Sequence, residues 1–505
     1  MRKLILSILI LLGLSTSLYA ESLYVRPATG DCTYNGNGLA STCAAGAGQT
    51  GAWKGLTSVQ WGAGTSSVEA GDTLYLVGGL TYTLTSSEYL RVGASGSSWS
   101  SPITITVYGS GAAVLDADDE QDSPIYLQSN DYIIIDGVRG DAVAGDYDYG
   151  IKITNLEAGS GGIYQNDYGV PGYLQIKHVE ISGSQQTGGD DQGAIRLGNG
   201  GADTEISYCY IHGPSSSQLW YVSGIDYWAS PGGTSYTNKK IHHNKVMNVY
   251  HDGIKSDGNV SIYNNIVLNV EGSGHSDSIL VQSGGYAKIY NNYVSSADQQ
   301  IYLDQLAGSV AHIYIYNNIL NNAQGHGIII STQGGDLDDV RIYNNTIYAT
   351  GSYCIWKDNE SGDLTNVHIV NNIFYSSGGG GSYYCLWVNS PVGSIVELDY
   401  NIYGTNLGNA PDITDWGGTK YTLAELVSNT SFGDHSTYAD PVFNDAPSDL
   451  TLSASDTIAR DRGQDLSAYF TTDKDGNTRS GTWDIGAYEY SEETPTNSIT
   501  GVNIN

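Results

Sequence analysis

The sequence is short of several residues that are common in helical and mixed folds. It has only 4 Phe, 2 Met and 11 Pro among 505 residues, and Asp, Glu, Lys and Arg together make up 15%. No run after position 20 approaches the ~18 consecutive apolar residues of a membrane-spanning helix. In their place stand 65 Gly and 40 Tyr, a composition typical of strands and turns. We therefore expect an all-β protein without membrane insertion.

Positive charge is scarce as well. The chain has 21 Lys and Arg against 53 Asp and Glu, which gives a formal net charge of −32. Such a charge repels nucleic acid and anionic membrane surfaces. It also disfavours an acidic polysaccharide, unless a local basic patch or bound cations intervene. No nucleic-acid partner is expected, and we expect a monomer.

The first twenty residues form a separate segment. Arg2 and Lys3 precede an apolar run from Leu4 to Leu14, and small residues end the segment at Ala20. This order is that of a secretory signal peptide. We expect residues 1–20 to be removed and the mature protein to be secreted.

Five cysteines in an exported protein permit two disulfides and one spare thiol. Cys32 and Cys43 flank a loop rich in Gly, Ala and Ser and are the first expected pair. Cys354 and Cys385 occupy matching positions of neighbouring repeats, so a second bridge is expected there. Cys209 lies inside a strand pattern and is expected to be a buried free thiol.

A repeat of 26 or 27 residues dominates the second half of the chain. Five copies of an Ile–x–Asn–Asn motif have their second asparagines at Asn265, Asn292, Asn318, Asn345 and Asn372. Short β-branched segments fill each repeat, without helical periodicity. Parallel strands joined without a helix can return only by winding round an axis, so the repeats predict stacked coils. The asparagines are expected to line up as an amide ladder.

Both ends of the chain carry recognisable cap sequences. Residues 70–82 resemble the opening coil of secreted β-helix proteins, and residues 473–479 followed by 484–490 resemble their terminal cap. Together with the repeats, these segments resemble secreted bacterial proteins of the pectate-lyase-like superfamily. The resemblance implies a single-stranded right-handed parallel β-helix and a broad association with polysaccharides, but not one substrate.

We expect five segments along the chain. They are a signal peptide (1–20), an N-terminal cap with the first coils (21–124), β-helix repeats forming at least nine coils (125–403), C-terminal coils and cap (404–490) and a disordered tail (491–505).

Strand alternation predicts which side chains face outward. The coils align on inward residues Ile195, Ile225, Ile254, Ile279, Ile301, Ile328, Ile355 and Leu386. The next residue in each coil should point outward, and so should the residue two positions further on. The first outward column reads Arg196, Asp226, Lys255, Leu280, Tyr302, Ile329, Trp356 and Trp387. The second reads Gly198, Trp228, Asp257, Gln282, Asp304, Ser331, Asp358 and Asn389.

This face carries candidate catalytic groups in its middle coils: Arg196, Asp226, Lys255, Asp257 and Asp304. Carboxylates one coil apart, about 4.8 Å, lie near the spacing of retaining glycosidases, and those two coils apart lie close to that of inverting ones. A lyase would instead use Lys255 or Arg196 as the base, with Asp side chains holding Ca²⁺.

Aromatic and histidine side chains surround these groups. Trp228, Tyr302, Trp356 and Trp387, with Gln282, are candidates for sugar binding, because flat rings stack on pyranoses. His251 and His275 lie in turns that enter successive coils and could act as general acids.

Two acids and one acidic loop have a structural interpretation. Asp252 and Asp277, beside those histidines, are interpreted as caps of backbone groups. Asp473, Asp475, Asn477 and Asp484 are spaced only loosely like a calcium loop, so a tight turn is expected there. Ca²⁺ is the one cofactor left open.

The residues on this face lead to two hypotheses. The first is an extracellular polysaccharide lyase or glycoside hydrolase that cleaves glycosidic bonds in a groove on one sheet face. The alternative is a non-catalytic surface adhesin or polysaccharide-binding solenoid, since fold alone does not fix function.

Overall fold

The chain winds into a right-handed parallel β-helix, and each coil contributes strands to three sheets. The computed structural model describes residues 20–118, 123–139, 149–156, 161–165, 173–183, 193–198, 203–215, 219–220, 222–228, 238–272, 276–282, 285–304, 310–357, 362–376, 384–388, 394–404 and 412–491. Neighbouring coils pair in parallel along nearly the whole stack, as the repeat predicts.

Sheet 1 contains 14 described strands. In spatial order they are Trp53–Lys54, Ser22–Arg26, Thr73–Val77, Ile103–Tyr108, Ile133–Asp136, Leu174–Lys177, Glu205–Ser207, Lys239–His242, Val260–Tyr263, Ala287–Tyr290, Val310–Tyr316, Leu337–Tyr343, Leu364–Val370 and Ile395–Asp399.

Sheet 2 contains 13 described strands. They are Thr81–Thr83, Ala113–Asp116, Ile151–Leu156, Val179–Gly183, Tyr210–His212, Lys245–Val249, Ile266–Val270, Tyr293–Ala297, Ile319–Asn321, Thr346–Thr350, Ile373–Ser376, Ile402–Tyr403 and Thr437–Tyr438.

Sheet 3 also contains 13 described strands, and its last strand is antiparallel to the one before. They are Leu90–Arg91, Ile125–Tyr126, Ile163–Gln165, Gly193–Gly198, Ser223–Trp228, Ile254–Asp257, Asp277–Gln282, Gln299–Asp304, His326–Ser331, Ile355–Lys357, Leu386–Val388, Asp412–Trp416 and Thr419–Thr422.

Little of the described chain lies outside these sheets in regular structure. A 3₁₀ turn spans Leu56–Ser58, an α-helix spans Leu423–Asn429, and a hairpin pairs Phe443–Asp445 with Asp449–Leu452. Thr422 caps the helix in a capping box with Glu425, whose amide donates to the Thr422 hydroxyl. No described helix is long and apolar enough to cross a membrane.

The core is a column of apolar side chains inside the coils. Ile195, Ile225, Ile254, Ile279 and Ile301 are fully buried, and they pair directly from coil to coil. Because each coil buries its apolar face only against its neighbours, the coils stabilise one another along the axis.

The predicted asparagine ladder is confirmed. The Nδ2 group of Asn318 donates to Oδ1 of Asn345 at 3.0 Å and to the carbonyl oxygen of Ile289 at 2.9 Å. Asn345 donates in the same way to Asn372, and Asn292 to Asn318. These amides are buried, so the ladder satisfies side-chain and backbone groups that would otherwise lack partners.

The first asparagine of each motif makes the turn. Asn264, Asn291, Asn317, Asn344 and Asn371 have left-handed backbones, with φ of 54°, 57°, 55°, 49° and 60°. Asparagine tolerates this conformation better than most residues, which explains why the motif carries a pair. These five residues form what we call the outer asparagine column.

Residues 439–491, which we call the C-terminal cap, dock on the outer asparagine column. Asn344 Nδ2 donates to the carbonyl oxygens of Asp484 and Gly486. Arg479 is buried and donates to Asn317 Oδ1 and to Glu489, both at 3.0 Å. Asp473 accepts backbone N–H groups of Asp475 and Asn477 and so forms the tight turn expected of this loop.

One of the two expected disulfides is present. Cys32 and Cys43 are bonded, and Cys209 is a buried free thiol as expected. The expected Cys354–Cys385 bridge is wrong for this structure, because both residues are free. The two thiols lie side by side in the core and share a hydrogen bond. The alignment of the repeats was therefore right, although no disulfide joins them.

Candidate functional site

The outer face of sheet 3 has the register that strand alternation predicts. Asp226 pairs with Arg196 on one side and Lys255 on the other. Tyr302 pairs with Leu280 and Ile329, and Trp356 with Trp387. His275, Asp358 and Asn389, and the side chain of Trp228, lie outside the described part of the chain.

A third outward column lies where each strand begins. Two consecutive residues face the core there, for example Gly224 and Ile225. Gly224 faces inward because a Cβ added to it would lie 2.4 Å from the core side chain of Val246, and Ile225 is itself part of the core. The residue before this pair therefore points outward again, and the same break in alternation recurs from coil to coil without a shift of register. The third column contains Ser223, Asp252, Asp277, Gln299, His326, Tyr353 and Tyr384.

Contacts within the face support this placement. Asp252 Oδ2 lies 3.9 Å from Nζ of the outward Lys255, and the His326 ring lies 4.6 Å from that of the outward Trp356. Simple alternation misses this column, since it assigns Asp252 and Asp277 only to turns. The signal that could have found it is the small or polar residue before each inward Ile.

Four carboxyl groups gather around one lysine. Asp252, Asp277 and Asp304 are buried, with 6%, 2% and 8% of their surface exposed, and Asp298 lies in the turn before the next strand. Burial raises the pKa of Asp277 well above its usual range, and the negative charges of Asp252, Asp298 and Asp304 raise it further. Lys255 opposes this shift. We call Asp252, Lys255, Asp277, Asp298 and Asp304 the acidic cluster.

Asp277 is the most buried member of the acidic cluster. Its Oδ1 has no hydrogen-bond partner among the described residues. A buried carboxyl group with a raised pKa and a free oxygen favours the protonated form, which can donate a proton.

Other predicted catalytic residues, and the predicted sugar-binding residue Gln282, lie on the coils around the cluster. Arg196 Nε lies 3.6 Å from Asp226 Oδ2, so these two charges largely balance each other. Gln282 donates to Asp304 Oδ2 at 3.3 Å and helps to hold that carboxylate. The ring of His251 lies 5.2 Å from that of Tyr250 in the turn before Asp252.

Asp257 has a partner that the sequence does not reveal. Its carboxylate forms an ion pair with Lys239, a lysine whose side chain is 2% exposed and lies 4.7 Å from the Tyr227 ring centroid. Burial raises the pKa of Asp257 and lowers that of Lys239, and the charge of each partner opposes these shifts. Lys239 occupies the inward position that Val260 takes in the next coil, so alternation places it inward, but the repeat does not predict its pairing with Asp257 across the corner.

An aromatic platform lies beside the acidic cluster. The rings of Trp356 and Trp387 are stacked 5.8 Å apart, and Tyr353 lies 5.0 Å from Trp387. Burial lowers the pKa of His326, which stacks on Tyr353, to about 4, so its ring is neutral near pH 7. We call His326, Tyr353, Trp356 and Trp387 the aromatic platform.

The face between these features is not an open surface. Leu280 and Ile329 point away from the core, yet they are 5% and 2% exposed. Tyr302 lies between them in the register and is half-buried. Ligands that reach the acidic cluster must therefore enter a partly covered site.

The acidic cluster does not fit a resident calcium ion. Within the described residues, the one group of acidic, histidine or cysteine ligands close enough to share an ion is Asp31, Cys32 and Cys43. Two of these are bonded to each other as a disulfide. We therefore assign no chemical step to a bound metal.

In a comparison with protein families, residues 232–394 match the family described as right handed beta helix region. A search of curated proteins gave no match.

Several solved structures are similar to the chain. A pectate lyase is 14% identical, with 92% of this chain and 98% of that chain covered and a TM-score of 0.44. The tailspike protein of an E. coli bacteriophage, in complex with a pentasaccharide, is 11% identical over 83% and 74%, with a TM-score of 0.45. The A-module of a mannuronan C-5 epimerase from Azotobacter vinelandii is 14% identical over 73% and 91%, with a TM-score of 0.38.

Proposed function

We propose that the protein is an extracellular glycoside hydrolase that cleaves a neutral polysaccharide on the outer face of sheet 3. The observation that carries this proposal is Asp277, a buried carboxyl group with a raised pKa, one coil away from Asp252. Export by the leader-like residues 1–20 would place this site outside the cell.

The charge of the site favours hydrolysis over elimination. Four carboxyl groups of the acidic cluster face one lysine, and the Arg196 charge is balanced by Asp226. A uronate lyase must bind a substrate carboxylate, which this excess of negative charge repels. A neutral sugar chain meets no such penalty.

Asp252 and Asp277 have the spacing of a retaining pair. The amide of Gly253 donates to the Asp277 carbonyl oxygen at 2.8 Å, so the two aspartates occupy adjacent coils in the third column. Adjacent parallel strands lie about 4.8 Å apart, close to the ~5–5.5 Å between the carboxyl groups of retaining glycosidases.

The reaction follows from these positions. Asp277 protonates the glycosidic oxygen while a carboxylate oxygen of Asp252 bonds to the anomeric carbon and the glycosidic bond breaks. A water molecule then attacks the anomeric carbon, gives its proton to Asp277 and releases Asp252. Lys255 stabilises the Asp252 carboxylate before its bond to the anomeric carbon forms and again when that bond breaks. Trp356 and Trp387 lie three and four coils from Asp277, so they stack on sugar rings further along the bound glycan.

The test is reducing-sugar release from neutral and acidic polysaccharides, with ultraviolet absorbance for unsaturated uronates and NMR of the first anomer released. We expect release from a neutral polysaccharide with retained anomeric configuration. Asp277→Asn should lower kcat/KM by about 10²–10⁴-fold. Asp338→Asn, an exposed carboxylate on sheet 1, is the matched control and should keep full activity.

Three results would contradict the proposal. Unsaturated products would show a lyase. Full activity of Asp277→Asn would remove the assigned acid. Binding without any cleavage across the panel would favour the non-catalytic adhesin.

A further inference from the structure

A groove lies between the C-terminal cap and the middle coils, on the side of sheet 2. It has a volume of about 220 Å³. Leu268, Tyr293 and Tyr488 supply apolar walls, and Asn264, Asn291 and Lys474 supply polar groups. The strands that carry Leu268 and Tyr293 belong to sheet 2, so this groove is separate from the outer face of sheet 3.

The cap shows what the outer asparagine column can bind. Asn371 Nδ2 donates to the carbonyl oxygen of Gln464 at 2.8 Å, and Asn371 Oδ1 accepts the Gln464 amide at 2.9 Å. Asn317 Nδ2 donates to the carbonyl oxygen of Thr472 at 2.8 Å. Each of these side chains therefore offers a donor, an acceptor or both to a group that lies against the coil.

Asn264 and Asn291 continue the same column but line the groove. Their backbones have the same left-handed conformation as Asn317 and Asn371. Asn264 Nδ2 lies 3.2 Å from His243 Nε2. Asn291 Oδ1 is buried and has no hydrogen-bond partner among the described residues. A buried acceptor without a partner costs free energy. Rotation of the Asn291 amide toward the groove would bring this oxygen within reach of a ligand hydroxyl and give it the partner that it lacks.

The charges of the groove disfavour an anionic ligand. Lys474 Nζ lies 3.4 Å from Asp475 Oδ1, so its positive charge is balanced, and Asp449 adds a negative charge at the rim. The tyrosine rings offer flat surfaces for C–H groups. An uncharged ligand with hydroxyls on its edge and C–H groups on its faces satisfies both features.

We propose that this groove binds one sugar residue of a neutral glycan, with Asn291 Oδ1 accepting a hydroxyl and Tyr293 and Tyr488 packing on the ring. The volume lies below the ~300–1,000 Å³ typical of pockets for drug-sized ligands, which suits a single ring. The site is ancillary: it holds the glycan by a second contact and increases the effective concentration at sheet 3. The sugar binding does not depend on the proposed hydrolase, whereas the ancillary role rests on that proposed function.

The experiment is calorimetric titration of the full chain with four neutral probes: cellohexaose, xylohexaose, mannohexaose and maltohexaose. Trigalacturonate is the acidic probe. The Asp277→Asn background lowers the turnover expected of the proposed hydrolase during the titration. Leu268→Trp fills the groove, and Met247→Trp is its matched control. Met247 pairs with Leu268 in the preceding coil but does not line the groove.

We expect a neutral probe to bind, and Leu268→Trp to remove one binding site or weaken it at least tenfold, with Met247→Trp unchanged. Asn291→Gly keeps the left-handed backbone, removes the acceptor and should weaken binding about tenfold. If Leu268→Trp does not fold, Asn291→Gly is the variant that tests whether the groove binds sugar.

Equal binding by Leu268→Trp and Met247→Trp, preference for the acidic probe, or no binding of any neutral probe would overturn the inference. Turnover by the native chain reports on the hydrolase separately. A groove that binds sugar in a protein without activity would leave this inference in place and reject the proposed function.

Discussion

Lys239 and Asp257 form a buried ion pair at the corner between sheet 1 and sheet 3. The Lys239 side chain is 2% exposed, and its Nζ also lies 3.4 Å from the Asp257 carbonyl oxygen. Asp257 is therefore held from inside the coil, although it belongs to a column that faces outward. Removing one partner leaves a charge buried without its counterion.

Asp257→Asn should lower the free energy of unfolding by about 3–5 kcal/mol. The double variant Lys239→Met/Asp257→Asn should recover part of that loss, because no unbalanced charge remains. Urea unfolding followed by circular dichroism measures both. Lys152→Met is the control. It breaks the more exposed Lys152–Glu180 pair and should cost no more than about 1 kcal/mol. If Asp257→Asn lowers the free energy of unfolding by no more than Lys152→Met does, the buried pair does not stabilise the fold.

Asn318→Ala should destabilise the stack strongly. The change removes acceptors for the Asn292 amide groups and the donor to Ile289, and each buried group left without a partner costs about 1–3 kcal/mol. We expect a loss of at least about 3 kcal/mol in urea unfolding. Gln333→Ala, at an exposed loop position, should change stability by less than about 0.5 kcal/mol. Similar effects of the two variants would mean that the ladder adds no stability.

The C-terminal cap should loosen as pH rises. Burial and the neighbouring Asp484 raise the pKa of Glu489 from 4.5 to about 7, with Arg479 opposing. An acid whose pKa is raised on folding stabilises the fold fully below about pH 4.5, and this contribution is lost as pH rises through 7. Hydrogen exchange of residues 471–490 should therefore be faster at pH 8 than at pH 5, after correction for intrinsic rates. Glu489→Gln should remove most of this difference.

A local measurement is needed because His326 acts in the opposite direction. Burial lowers its pKa to about 4, so its contribution is full above about pH 6.5 and is lost as pH falls through 4. A whole-protein melting curve would sum the two effects. If hydrogen exchange of residues 471–490 in Glu489→Gln depends on pH as it does in the native chain, Glu489 is not the cause of that dependence.

The number of free thiols tests whether Cys354 and Cys385 form the disulfide that the repeats predicted. Cys209, Cys354 and Cys385 are buried and free, and burial raises the pKa of Cys209 to about 12. Native protein should therefore show almost no reaction with a thiol reagent. Unfolding without reductant should expose three reactive thiols per chain. One reactive thiol would mean that Cys354 and Cys385 are bridged after all.

Periodicity predicted the fold well because every coil repeats the same local rules. The Asn–Asn pairs, the inward Ile column and the first two outward columns of sheet 3 follow from strand alternation and repeat length alone. These features depend only on neighbouring coils, which is why an alignment of the sequence with itself is enough to find them.

The rest depends on departures from that periodicity. Two consecutive inward residues in each coil bring Asp252 and Asp277 to the outer face, and strict in/out alternation does not predict this break in the pattern. Lys239 pairs with Asp257 across a corner between two sheets. The cap reaches Asn344 from 140 residues away in sequence. None of these contacts leaves a repeat signature.

The parallel register fixes the distance between features on sheet 3 in steps of one coil. Lys255, Leu280, Tyr302, Ile329 and Trp356 pair one after another, so the acidic cluster and the aromatic platform are separated by whole coils of about 4.8 Å. Gain or loss of one repeat between them would lengthen or shorten that separation by one step while leaving each cluster intact. Duplication of a single gene segment could thus change the length of chain that the face accommodates without redesigning either cluster.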